Sequence, residues 1–217
     1  FALTYSSGDG PPTLFAKTQG DLRRRIVHVM TGNLYNEALL FADEVDLPVD
    51  HPRIYRTAVD RLRLNELIVM EDLRNREVIL HHAATPLDTA TVARGLEALA
   101  RLHSRYWEYT DASDPGVSWV RRWKPTRSFH KAVRDYGATG LERMRQRLPD
   151  ALTPMTSVEM AQWWRRFVVT AGKGSTTLLH GDAHIGNTYA LPDGDVGFVD
   201  WAVVRRGNWV HDAGYFM

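Results

Sequence analysis

The sequence has no cysteine, no long apolar run and no surplus of either charge. Without thiols there is no disulfide framework, no thiolate metal site and no cysteine nucleophile, a composition that suits a reducing cytoplasm. No apolar stretch approaches the roughly 20 residues needed to span a bilayer. The opening Phe1-Ala2-Leu3-Thr4-Tyr5 also lacks a basic region followed by an apolar one, the mark of a secretory leader. Lysine and arginine number 27 against 26 acidic residues, a formal net charge of +1. Such a balance provides no global field for nucleic acid or an anionic membrane, and Arg23-Arg24-Arg25 and Arg121-Arg122 read as short solvated clusters. The expectation is a cytoplasmic protein with neither nucleic acid nor membrane as partner.

What is present fits a globular protein. The 217 residues are 44% hydrophobic and 24% charged, ample for a buried core. Residue 1 is not methionine and has strand character, while Met217 follows an apolar stretch without a stop signal. The expectation is a chain cut at both ends.

Phe1–Ser7 and Thr13–Thr18 are rich in Phe, Tyr, Leu and Thr and flank Gly8-Asp9-Gly10-Pro11-Pro12, so they read as a β-hairpin. From Asn33 to Val45, apolar residues at three- and four-residue spacing predict a helix, ended by Pro48 and Pro52. Arg53–Ala58 and Glu66–Glu71 read as strands. Beyond them the character changes. Thr89–Trp107 predicts a long helix capped by Asp88 or Thr89, with Val92, Leu96, Leu99, Ala100, Leu102 and His103 inward. Residues 116–171 carry Trp119, Trp123, Phe129, Tyr136, Trp163, Trp164 and Phe167 and read as two or three helices whose aromatics form core. Thr177–His180, Thr188–Leu191 and Val196–Asp200 are short strands, the last two separated by the turn Pro192-Asp193-Gly194-Asp195. The layout is α+β: a small β-rich lobe over residues 1–73 and a mainly helical lobe over residues 74–217.

The densest polar cluster is His180-Gly181-Asp182-Ala183-His184-Ile185-Gly186-Asn187, and Asp200 follows the apolar run Val196–Val199. A carboxylate at a strand end, facing a carboxylate and a carboxamide from a nearby loop, suits magnesium, a hard cation that takes oxygen ligands and keeps positions for substrate phosphates. Phosphoryl transfer asks little more of a protein than charge neutralisation and a carboxylate to accept the hydroxyl proton.

Asp182 and Asn187 have the D-x-x-x-x-N spacing of the protein-kinase catalytic loop, and Asp200 follows a strand where those enzymes place a second metal-binding Asp. The form His180-Gly181-Asp182-x-His184-x-Gly186-Asn187, with Val199-Asp200-Trp201 and Trp209-Val210-His211-Asp212-Ala213, resembles the aminoglycoside phosphotransferase and choline kinase group, and within it the ecdysteroid-kinase-like branch. The resemblance implies a two-lobed protein kinase-like fold using ATP and Mg2+ to phosphorylate a small-molecule alcohol. It assigns Asp182 as catalytic base and Asn187 and Asp200 to metal. Lys17, the one lysine of the small lobe, falls to the nucleotide phosphates, with Glu37, or else Glu44, as its ion-pair partner. Met70-Glu71-Asp72-Leu73 becomes a hinge whose backbone at Glu71 and Leu73 meets adenine. Asp212 matches a position that props the catalytic loop, and His180 and His184 read as loop braces.

The resemblance also implies parts that the chain lacks: the first strand with its phosphate-covering loop, and the C-terminal helices. Gly8-Asp9-Gly10 directly precedes the lysine strand, so it reads as a hairpin turn and not as that loop. Two other readings stand beside the kinase. His180, Asp182 and His184, completed by Asp200 and His211, could form a metal-dependent hydrolase site. A nucleotide-binding pseudokinase is the other.

Overall fold

The computed structural model describes residues 2–4, 6–43, 45–84, 86–124 and 127–217, apart from the side chains of residues 128, 129 and 132. It divides into two compact units: Phe1–Arg121 with Thr176–Met217, and Arg122–Ser175.

The first unit begins with β1 (Leu14–Thr18), α1 (Leu22–Thr31), α2 (Asn36–Leu40), β2 (Ile54–Asp60) and β3 (Asn65–Glu71). Central β3 pairs antiparallel with β1 and with β2, in the order β1-β3-β2. Its period-two pattern buries Glu66, Ile68 and Met70 on one face. Ala38 of α2 packs there with Ile68 and Met70 into a small core, which brings Glu37 beneath the sheet.

Three expectations change in this region. The strand expected over Phe1–Ser7 is reduced, among the described residues, to an Ala2–Thr13 bridge and one bond from Leu3 N–H to Pro12 C=O at 2.9 Å. Pro11 and Pro12 cannot donate to a ladder, and Gly8 turns the chain at φ 74°. Residues 1 and 5 of that expected strand lie outside the described residues, as does Glu44, the alternative partner of Lys17. The helix expected over Asn33–Val45 contracts to Asn36–Leu40, because Tyr35 enters it at φ 73° and Phe41 leaves the helical region. Helix α1 has no counterpart in the sequence reading. Its marks are caps, the Asp21 carboxylate accepting from Arg24 N–H and Gly32 closing it at φ 73°, while Leu22, Ile26, Val29 and Met30 stay exposed.

Next come β4 (Ile79–Leu80) and α3 (Thr89–Arg105), whose N-cap Asp88 accepts from Thr91 N–H. Helix α3 buries Gly95, Ala98, Leu99, Leu102 and His103, an inner face of three- and four-residue spacing. The second unit holds α4 (Arg127–Met144) and α5 (Ser157–Ala171), the latter opened by a Thr156/Glu159 capping box. There the rings of Trp123 and Trp164 meet edge to face at 5.7 Å. The expectation that the aromatic stretch is core fails at Trp163, which is 62% exposed.

The chain returns to the first unit with β5 (Thr177–Leu179), β6 (Thr188–Ala190), β7 (Val196–Phe198), β8 (Arg205–Gly207) and α6 (Val210–Phe216). Strands β4-β6-β7 form one small sheet and β5-β8 another, all antiparallel. Their inward residues Leu178, Val196 and Phe198, with Trp201 of the following 3-10 turn and Phe216 of α6, join Ala98, Leu99, Leu102 and Tyr106 in the main core. Each fully buried aliphatic or aromatic side chain contributes about 1.5–3 kcal/mol. Gly95 is required at the α3–α6 crossing, since a Cβ there would meet the Phe216 ring at 2.2 Å. Among the described residues no helix is long and apolar enough to cross a membrane.

Candidate active site

Lys17 projects from β1, Glu37 from α2, and Asp200 from the residue that caps a short 3-10 turn after β7. The fold brings all three together: Lys17 Nζ lies 2.5 Å from Glu37 Oε2 and 2.7 Å from Asp200 Oδ1. Burial favours neutral Lys17, but the two carboxylates outweigh it and hold the ammonium charged. Glu37, only 3% exposed at its side chain, is pushed upward by burial, with Lys17 pulling the other way. Asp200 goes down, because the attraction of Lys17 exceeds the cost of its burial. Asp200 also adopts a left-handed backbone at φ 62°. For a non-glycine residue such a conformation costs about 1–2 kcal/mol, and strain of this kind gathers at functional sites.

The second part of the site is the loop after β5. Asn187 Nδ2 donates to the Asp182 carbonyl at 2.9 Å and to Asp182 Oδ2 at 3.2 Å. The Asn187 carbonyl accepts from Val199 N–H at 2.9 Å, and Asp200 is the next residue. Asp182 and Asn187 therefore sit on one loop beside Asp200, as their spacing implied.

Both ring nitrogens of His180 are engaged, Nε2 with the Val199 carbonyl at 3.0 Å and Nδ1 as acceptor from Asp182 N–H at 3.3 Å. This is the neutral Nε2–H tautomer, and full burial lowers the pKa to match. His184 Nδ1 accepts from Gly186 N–H at 3.0 Å and caps the 3-10 turn Ile185–Asn187. Both histidines brace the loop. The hydrolase arrangement does not assemble: His180 has no lone pair to offer a metal, and among the described residues no group of three or more His, Cys, Asp or Glu is placed to hold an ion.

Beneath the loop lies Asp212, fully buried. Its carboxylate accepts from His180 N–H at 2.8 Å, from Gly181 N–H at 2.9 Å and from His103 Nε2 at 3.1 Å. Burial alone would push this carboxyl up, yet the bonds from His103 and the loop amides carry it below the usual range. Gly181 has φ 86°, and a Cβ there would stand 2.2 Å from the Val203 carbonyl oxygen. The loop can thus approach the 3-10 turn before β8 only through glycine. Arg205 adds a further tie by donating to the Gly181 carbonyl. Neither Arg205 nor His103 was found as part of the site from sequence: Arg205 belongs to no motif, and His103 showed only as an inward helix residue.

At the end of β3, Glu71 N–H donates to the Arg53 carbonyl at 2.8 Å, and the Asp72 and Leu73 carbonyls close the 3-10 turn Leu73–Asn75. Hydrogen bonds from Arg74 and Thr13 hold the Asp72 carboxyl well below its usual range. Glu71 and Leu73 lie apart from the Lys17 cluster in sequence, but β1 pairs Leu14 with Glu71, so both ends of that ladder belong to one sheet. A further network escaped sequence reasoning: Arg76 pairs with Asp50 at 3.0 Å and Glu71 at 3.6 Å, and Tyr189 donates its hydroxyl to Asp50. It links the β3 end to the strand that follows Asn187, through residues scattered along the chain.

No curated protein matches the sequence. Among solved structures, an aminoglycoside-3'-phosphotransferase of type VIII is similar with a TM-score of 0.50 at 17% identity, over 94% of this chain and 67% of that one. Aminoglycoside phosphotransferase APH(3'')-Id from Streptomyces rimosus gives a TM-score of 0.52 at 16% identity, over 94% and 70%. The chain thus spans about two thirds of either structure, and at these identities the likeness shows the α+β, kinase-like fold. A model of the phosphotransferase enzyme family matches residues 33–217, which takes in Glu37, the stretch from His180 to Asn187, Asp200 and Asp212. The chain belongs to the phosphotransferase enzyme family.

Proposed function

We propose that this protein transfers the γ-phosphoryl group of ATP to a hydroxyl of a small molecule. One observation carries the reading: Lys17, Glu37 and Asp200, from three distant segments, meet at 2.5 and 2.7 Å, beside a loop that ties Asp182 to Asn187. Phosphoryl transfer calls for a lysine paired with a glutamate, a metal-binding aspartate and an adjoining carboxylate and carboxamide.

Asp182 would accept the hydroxyl proton and orient the oxygen for in-line attack. Lys17, held charged by its two carboxylates and aimed by Glu37, would bind the α- and β-phosphates. Asn187 and Asp200 would hold Mg2+. The donor set fits that ion: one carboxylate and one carboxamide oxygen are the hard ligands magnesium takes while keeping positions for phosphate and water. Magnesium, when bound, neutralises charge on the phosphate oxygens. Adenine would meet the backbone at Glu71 and Leu73. The small lobe would be residues 1–73 and the helical lobe residues 74–217.

Calorimetry with Mg·ATP tests the nucleotide half of this reading, and absence of binding would sink it. A panel of small alcohols, including choline and an aminoglycoside, tests the transfer. Asp182→Asn should abolish phosphorylation of whichever acceptor is used, and unchanged turnover would remove Asp182 from the role of base.

A further inference from the structure

We propose that Asp50 is a positioning residue for the nucleotide, a pin that sets the end of β3 against the strands carrying Asn187 and Asp200 at their ends. The inference rests on the reading of Glu71, Asn187 and Asp200 given above and deepens it. Asp50 stands between α2 and β2, outside every helix and strand, and both its backbone and its side chain are engaged. Its carbonyl accepts from Phe198 N–H at 2.9 Å, two residues before Asp200. Its carboxylate accepts from the hydroxyl of Tyr189, two residues after Asn187. The same two carboxylate oxygens lie 3.0 and 3.1 Å from Arg76 Nη2. Arg76 reaches on through Nη1 to Glu71 Oε2 at 3.6 Å, and that oxygen also accepts from Arg53 N–H at 3.1 Å. One aspartate therefore ties the end of β3 to both β6 and β7.

The tie is built to hold a distance. Tyr189 is fully buried, and its ring lies against Gly197 of β7, where a Cβ would meet it at 2.2 Å. Burial and the Asp50 carboxylate raise the pKa of its phenol, which stays a donor at neutral pH. The Arg76 guanidinium lies over the same ring, 5.7 Å from its centroid. The Arg76, Asp50 and Glu71 side chains are only 25%, 31% and 20% exposed, so salt and water screen these pairs less than a surface bridge. ATP is one ligand spanning two subsites, adenine at the end of β3 and phosphates at Asn187 and Asp200. Joining its two halves raises affinity only where the subsites stand at the matching separation. A network that fixes that separation acts on the whole nucleotide and not on its parts.

The test compares ATP with its two halves. Mg·ATP is titrated by calorimetry, and adenosine and Mg·tripolyphosphate separately by NMR, into the parent, Asp50→Asn and Tyr189→Phe. The second variant removes a single hydroxyl and decides the matter if Asp50→Asn does not fold. Each variant should raise the Kd for Mg·ATP about tenfold while the Kd for adenosine and for Mg·tripolyphosphate stays within about twofold of the parent. Unchanged Mg·ATP affinity in folded Tyr189→Phe overturns this proposal alone. Fragments weakened as much as ATP also overturn it, because the loss then lies within a subsite and not in the spacing between them. Absence of Mg·ATP binding in the parent protein overturns the kinase reading, and this one with it.

Discussion

Lys17 Nζ donates to Asp200 Oδ1 across 2.7 Å although 183 positions separate the two residues in the chain. The same ammonium sits 2.5 Å from buried Glu37, so one cation joins the lysine strand, the short helix and the strand end after β7. Removing Lys17 should have two separable effects. Lys17→Met should lower kcat/KM for ATP about 100-fold or more, the scale of losing one preorganised electrostatic donor. It should also cost about 1–3 kcal/mol of stability, because Glu37 loses its partner while remaining buried. In the double variant Lys17→Met/Glu37→Gln the stability losses should fall short of additive by about 0.5–3 kcal/mol. Urea denaturation of the four proteins measures the coupling, and strict additivity would show that the pair does not interact.

Two aspartates of the same loop environment should respond in opposite ways. Asp182 is a third exposed at its side chain, so Asp182→Asn should leave stability within about 0.5 kcal/mol while reducing turnover about 100-fold or more. Asp212 is fully buried and accepts three hydrogen bonds. An amide there turns donors against donors, and Asp212→Asn should cost about 3 kcal/mol. Melting curves beside single-turnover rates distinguish them. A stable Asp212→Asn protein with normal turnover would refute the propping role.

Gly181→Ala should be among the most damaging small changes in the chain. The added Cβ meets the Val203 carbonyl at 2.2 Å, and φ 86° is unfavourable for alanine in any case. The expected loss is about 2–4 kcal/mol, together with phosphotransfer activity, since the loop and the turn holding Val203 must separate. Gly194→Ala is the comparison: it has φ 84° but nothing within 4 Å of its Cβ. Its smaller cost, about 1 kcal/mol from backbone strain alone, should leave activity intact.

Acid should destabilise the protein before its carboxylates titrate. Burial lowers the pKa of His180, His211 and His81 below the usual 6.5. A histidine depressed in the folded state binds protons more weakly there than when unfolded. Its contribution is therefore complete above pH 6.5 and is lost as pH falls from 6.5 through the folded value. Urea midpoints should drop between pH 7.5 and 5, and His180→Gln should flatten that slope. An equal or rising midpoint towards pH 5 would contradict the buried neutral assignment.

The sequence carried the chemistry of the loop better than the shape of the small lobe. The motif from His180 to Asn187 was legible because its hydrogen bonds run within eight residues, His184 to Gly186 and Asn187 to Asp182. Helix α3 was legible because its buried face repeats at helical spacing and Asp88 caps it. Helix α1 was missed because its apolar residues are exposed and no core fixes their phase. Helix α2 was overlong because the apolar pattern around it continues after Phe41 leaves the helical region. Arg205 escaped notice because its partner, Gly181, stands in another segment and leaves no spacing to read.

By itself, then, the sequence determined which residue types could perform the chemistry, since local spacing encodes local hydrogen bonds and strand and helix periodicity encodes one buried face. Only the tertiary structure decided which carboxylate lies beneath the loop and which lies on it. Asp212 and Asp182 are chemically the same side chain. Packing of α6 through Phe216 against Gly95 buries Asp212 under two backbone amides and leaves Asp182 a third exposed. That difference in burial and partners separates a structural anion from the proposed base.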